Sequence, residues 1–107
     1  RRHALAVFER FDILIDPATP CTATTIGQEV RHISGQELPT RASMGMLTQP
    51  ISFLGLPVCT GPLQTASGLP IGLQLIAAPF KEHLVLRAAW ALQQQGLTLP
   101  QTALLDA

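Results

Sequence analysis

The run Thr48-Gln49-Pro50-Ile51-Ser52-Phe53-Leu54-Gly55-Leu56-Pro57-Val58, followed by Gly68-Leu69-Pro70-Ile71-Gly72-Leu73-Gln74-Leu75-Ile76, restricts the fold more than any other part of the chain. Gly55 can end a helix in the left-handed conformation, and Pro57 prevents its resumption. Val58 to Leu63 then reads as a strand. From Leu69 to Ala77 the residues Leu69, Ile71, Leu73, Leu75 and Ala77 alternate with Pro70, Gly72, Gln74 and Ile76, which predicts a second strand. The link Gln64 to Gly68 is five residues long and contains glycine. A link that short joins antiparallel strands and cannot carry a helical crossover. Pro79 separates this hairpin from a helix over residues 81–95, whose apolar set is Leu84, Val85, Ala88, Ala89 and Leu92, with Trp90 on its flank. Glu82 suits the positive end of that helix, and Gly96 suits its C-terminal end.

Upstream, Ala4, Leu5, Phe8 and Phe11 recur at helical spacing, which predicts a helix over residues 3–11. Asp12-Ile13-Leu14-Ile15-Asp16 is a continuous apolar run between acids, the pattern of a short strand buried on both faces. Pro17 and Pro20 stop it. Residues 18–40 are rich in Thr, Gly, Ser, Gln and Pro and read as an irregular surface excursion. Met44, Leu47, Ile51 and Leu54 predict a helix over residues 41–54 that Pro50 kinks or divides. The tail, residues 97–107, is polar and interrupted by Pro100. Short apolar strands with helices to cover them give an α/β layer arrangement, incomplete as it stands.

Composition supports incompleteness. The chain is 47% hydrophobic and 13% charged, whereas soluble domains carry about 25% charged residues. Such a surface expects cover, and the opening Arg1-Arg2-His3 lacks an initiator Met, so a single partial domain of a larger protein is expected. Net charge is zero and the basic residues are scattered, which argues against nucleic-acid binding. Gly, Pro and Gln interrupt every apolar run well before the roughly 20 residues of a membrane helix. No apolar segment follows the basic start, so a signal peptide is not expected. Cys21 and Cys59 are too sparse for a disulfide framework and read as reduced thiols in a cytoplasmic protein, Cys59 in a strand.

Chemistry-bearing patterns are few. His3, His32 and His83 have no ligand at metal-binding spacing, so no metal site is expected. Asp12 and Asp16 would lie on one strand face about 13 Å apart, too far to share a proton. Ser34, Ser43, Ser52 and Ser67 lie in no nucleophile elbow. The one lysine, Lys81, opens a helix where its ammonium should stay solvated.

Four pieces in order nevertheless resemble the amidase signature family: Asp12 to Pro20, with its Pro-x-Thr-Pro ending; Thr48 to Val58; Gly68 to Ala77; and Pro79-Phe80 with the last helix. The resemblance covers residues 5–96, and Gln49-Pro50-Ile51-Ser52-Phe53 is most similar to the branch hydrolysing biuret- and carboxybiuret-like ureides. It implies the C-terminal part of an α/β/α layered mixed sheet with an antiparallel hairpin and flanking helices. It implies a parent that hydrolyses amide or ureide C–N bonds without a cofactor, through a seryl acyl-enzyme. The family's Ser-Ser-Lys set lies in a Gly/Ser-rich stretch that has no counterpart here. This chain alone is therefore expected to be inactive, with no catalytic residue of its own. The resemblance leaves it a wall of the substrate pocket: Thr19, Gln49 and Ser52. Ser52 stands where many relatives have Asn. Gly45 stands where amino-acid-amide members carry Asp, which argues against an α-amino amide substrate.

The expected partners are the remainder of the parent chain, or a second copy through self-association, with a small amide or ureide as substrate. A non-catalytic scaffold protein that completes another chain's sheet, by β-augmentation of an edge strand, is the rival reading. A small independent binding domain is a third.

Overall fold

The computed structural model describes residues 1–101; of the expected polar tail, residues 102–107 lie outside the described residues. The elements run α1 (Arg2–Val7), β1 (Leu14–Pro17), β2 (Val30–Ile33), β3 (Gln36–Pro39), α2 (Thr40–Ser43), α3 (Gln49–Leu54), β4 (Val58–Leu63), β5 (Ile71–Ile76) and α4 (Glu82–Gln94). The order β1-β5-β4 makes one three-stranded sheet, and β2-β3 makes a separate two-stranded one. All described strand pairs are antiparallel. The α/β reading holds, with β5 at the centre.

The predicted hairpin forms as expected, with Val58 opposite Ile76 and Leu63 opposite Ile71. Leu75, Ala77 and Val85 are the buried core, and Ile13, Cys59, Leu73, Leu84, Ala88, Ala89 and Leu92 pack against it. The apolar set predicted for the last helix is thus the face that α4 lays on β4 and β5. Each large apolar side chain buried there contributes roughly 1.5–3 kcal/mol. Gly55 ends α3 with φ 73°, and the N–H groups of Gly55 and Leu56 close the helix onto the Ser52 and Ile51 carbonyls.

Three expectations are corrected. The first helix stops at Val7, with turns following. β1 is not buried on both faces: it is an edge strand, and Ile15 is 63% exposed because α4 rests on β4 and β5 and leaves β1 uncovered. The excursion 18–40 is not wholly irregular. Ser34 and Gly35, at φ 50° and 78°, form the two-residue turn of the β2–β3 hairpin, since positive φ at both turn positions matches the twist of the flanking strands. The helix over 41–54 is divided, one of the two outcomes expected of Pro50: α2 ends at Ser43, turns follow, and α3 opens at Gln49 with Pro50 in its first turn, where its missing N–H costs nothing.

Gly72 permits the close approach of the chain after β1. The Ala18 N–H donates to the Gly72 carbonyl at 2.7 Å. A Cβ on Gly72 would meet the Ala18 Cβ at 2.9 Å and the Thr60 Cγ2 at 3.4 Å. Gly72→Ala should therefore destabilise the protein by about 1–3 kcal/mol through overpacking, read as a lower Tm. An unchanged Tm would contradict the close approach.

Candidate functional site

The face of β5 turned away from α4 carries a buried amide. Gln74 is only 1% exposed. Its Nε2 donates to the Pro17 carbonyl at 3.2 Å and to the Leu47 carbonyl at 3.0 Å. A carboxamide has two N–H donors, so both are used. The two acceptors are distant in sequence: one ends β1, the other precedes α3. Thr19 lies two residues beyond the first and Gln49 two beyond the second. Gln74 thereby binds together the two segments that carry the expected pocket wall. Sequence reasoning placed Gln74 in a motif but missed this role. A lone amide within an apolar strand was the available signal, because a buried polar group must be satisfied.

A second polar centre lies in the excursion. Arg31, 4% exposed, donates from Nε to Ser43 Oγ at 2.8 Å, from Nη2 to the Thr40 carbonyl at 3.2 Å, and from Nη1 to Cys21 Sγ. Cys21 Sγ in turn lies 3.1 Å from the Thr22 carbonyl, to which it donates. Ser43 donates to the Thr40 carbonyl at 3.3 Å. Thr40 Oγ1 is buried without a hydrogen-bond partner among the described residues. Arg31 stands opposite Leu38 in the hairpin, so the β2–β3 pairing aims it at α2. This cluster, too, escaped the sequence reading, because it depends on the Ser34-Gly35 turn inside a stretch that reads as irregular.

Of the expected wall residues, Thr19 is half-buried and donates from Oγ1 to the Cys21 carbonyl at 2.8 Å. Gln49 and Ser52 are exposed on α3. The Gln49 side chain lies against Gly45, 3.1 Å from where a Cβ would stand. The cleft of about 550 Å³ where the Gly55 corner meets α4 is lined by Leu56, Pro57, Phe80, Val85 and Leu86 together with the charged Arg1 and Glu82, and none of the three wall residues borders it. Lys81 is exposed at the start of α4. Among the described residues no three His, Cys, Asp or Glu side chains converge as metal ligands would. No described helix is long and apolar enough to cross a membrane.

The sequence model of the Amidase family matches residues 1–86. The chain belongs to the amidase family. It is 50% identical over 94 residues to AtzE, a component of the 1-carboxybiuret hydrolase of Pseudomonas sp. (strain ADP), covering 86% of this chain and 21% of that protein. It is 40% identical over 88 residues to a glutamyl-tRNA(Gln) amidotransferase component of Symbiobacterium thermophilum, covering 81% and 17%. Among solved structures, an inhibitor-bound vestigial protein complex bearing on the origins of an s-triazine catabolic enzyme superposes with TM-score 0.85 at 49% identity, over 87% of this chain and 21% of the other. A crystal structure of an amidase matches with TM-score 0.78 at 28% identity, over 88% and 23%. The chain thus spans about a fifth of the length of the relatives it matches.

Gln74→Leu removes both donors and strands two carbonyls, and should cost about 2–4 kcal/mol. Gln74→Glu tests the same bridge with a pH signature. Burial against carbonyls raises the folded-state pKa of the new carboxyl, so this variant should lose stability as pH rises from the ordinary Glu value of about 4.3 through that raised value, and regain it as pH falls back to about 4.3. Parallel Tm–pH curves for the variant and the parent would contradict the bridge.

Proposed function

We propose that this chain is the C-terminal supporting shoulder of a longer amidase that hydrolyses amide or ureide C–N bonds. The carrying observation is the 50% identity to a carboxybiuret hydrolase component, sustained over 94 residues, in a chain where Gln74 ties the two segments bearing Thr19, Gln49 and Ser52. In this reading those three residues form one wall of the substrate pocket. The nucleophilic serine, its relay serine and the lysine base belong to the remainder of the parent protein, as do the backbone donors that stabilise the tetrahedral oxyanion. Such donors commonly supply the largest single catalytic contribution. The substrate is a small amide or ureide, no cofactor takes part, and the free thiols of Cys21 and Cys59 suit the reducing cytoplasm.

Magnitudes separate a wall from a nucleophile. Removing a catalytic serine costs on the order of a million-fold in kcat, whereas a specificity contact is worth about 10–200-fold. In the complete gene product, Ser43→Ala, Ser52→Ala and Ser67→Ala should each retain turnover within about 100-fold of the parent. A loss on the scale of the nucleophile from any of them would overturn the reading. Gly45→Asp places a carboxylate beside the wall, and Gln49, exposed and flexible, can yield the space. That variant should fail to improve hydrolysis of a neutral or acidic ureide, and a clear gain would contradict the proposed wall.

A further inference from the structure

We infer that Gln74 is a positioning residue that sets the gap between the two halves of the pocket wall, and that this gap limits the size of the substrate the enzyme accepts. The role rests on the amidase reading above and adds to it a selection by size. Gln74 stands mid-sheet on β5, opposite Asp16 on β1 and Thr60 on β4. Ladders on both sides hold its backbone, and its side chain is 1% exposed. Side chains so enclosed keep one rotamer, which makes Nε2 a fixed point in the sheet.

From that point Nε2 donates to the Pro17 carbonyl at 3.2 Å and to the Leu47 carbonyl at 3.0 Å. The two N–H bonds of a planar amide diverge, so they hold the two carbonyl oxygens about 5 Å apart. Both acceptors are main-chain groups. The span is therefore imposed on the path of the chain, whatever side chains the two segments carry. A wider gap would break one bond or both.

Each segment passes the constraint on to the proposed wall. On one side the Ala18 N–H donates to the Gly72 carbonyl at 2.7 Å, and Thr19 Oγ1 donates to the Cys21 carbonyl at 2.8 Å. Thr19 is thus fixed two residues from the clamp. On the other side the Thr48 and Gln49 N–H groups donate to the Gly45 carbonyl at 3.2 and 2.8 Å, and the Ser52 N–H donates to the Thr48 carbonyl at 3.0 Å. Those bonds enclose Leu47, so a shift of Leu47 carries Gln49 and Ser52 with it. Gln74 touches no substrate in this account and acts only through those three residues. Shifts of about 1 Å are enough to change turnover at such a site.

The test uses the complete gene product. The best-hydrolysed member of a panel of small amides and ureides, biuret and malonamide among them, is paired with its N-benzyl derivative. Gln74→Met nearly keeps the volume and removes both donors. Its kcat/KM for the benzylated substrate relative to the small one should exceed the parent's ratio by about tenfold or more, through KM, with kcat for the small substrate within about threefold. Gln74→Glu should show the same relaxed ratio at neutral pH. As pH falls and the buried carboxyl takes up a proton, it regains one donor, and its ratio should move back toward the parent's, which stays level. Comparing two substrates on one enzyme cancels the titration of the catalytic groups themselves. A purely structural amide would lower kcat for both substrates alike and leave KM and the ratio unmoved, which would refute the positioning role alone. Failure of both variants to fold would overturn it as well, since the amide is then needed for the fold and not for the gap. A parent that hydrolyses no member of the panel refutes the amidase reading and this role together.

Discussion

The carboxamide of Gln74 is buried, with two carbonyls on its Nε2, and the two loops that cover this face of the sheet are arranged around it. Its Nε2 reaches Pro17 at the end of β1 and Leu47 ahead of α3. Without it, the face of β5 opposite α4 would present an unsatisfied polar group, and two irregular segments would have nothing fixed to lie against. Buried hydrogen bonds contribute modestly in net terms, but leaving their partners unmade is expensive. That asymmetry is why one side chain can dictate where two loops run. Gly72, two residues earlier on the same strand, lets Ala18 come close enough for the first of those loops to settle.

The opposite face is simpler. Leu75, Ala77 and Val85 form an apolar contact between β5 and α4 that needs no polar detail. A sheet with one face sealed by a helix and the other by loops held on an amide is asymmetric by construction. Large side chains remain outside it: Phe53 is 91% exposed and Phe80 89% exposed. Together with the match to about a fifth of each relative's length, this surface fits the proposed role as one shoulder of a longer enzyme.

How far the sequence disclosed this depended on the range of the interactions. Local signals were readable. Gly55 and Pro57 marked the corner, the five-residue link marked the hairpin, and the spacing of Leu84, Val85, Ala88 and Leu92 marked the buried face of α4. Tertiary facts were not. Ile15 looks as buried as Leu14 until the position of α4 is known. The Ser34-Gly35 turn was legible in principle, but its flanks, Val-Arg-His-Ile and Gln-Glu-Leu-Pro, alternate too weakly to stand out. Arg31 and Gln74 are polar residues whose burial depends on partners 9 to 57 positions away. Residue spacing along the chain does not say which of them will meet. The motif resemblance named the segments of the candidate wall, and the structure supplied the amide and the guanidinium that join them.

Hydrogen exchange followed residue by residue in the complete protein, with and without Gln74→Leu, tests most directly whether one amide organises both segments. The Ala18 N–H, bonded to Gly72, and the Gln49 N–H, bonded to Gly45 at 2.8 Å, sit on opposite sides of the bridge. Both should lose protection together in the variant while the β4–β5 ladder keeps its own. Loosening of one side only, or of neither, would show that the two segments are held independently and that the amide does not organise them.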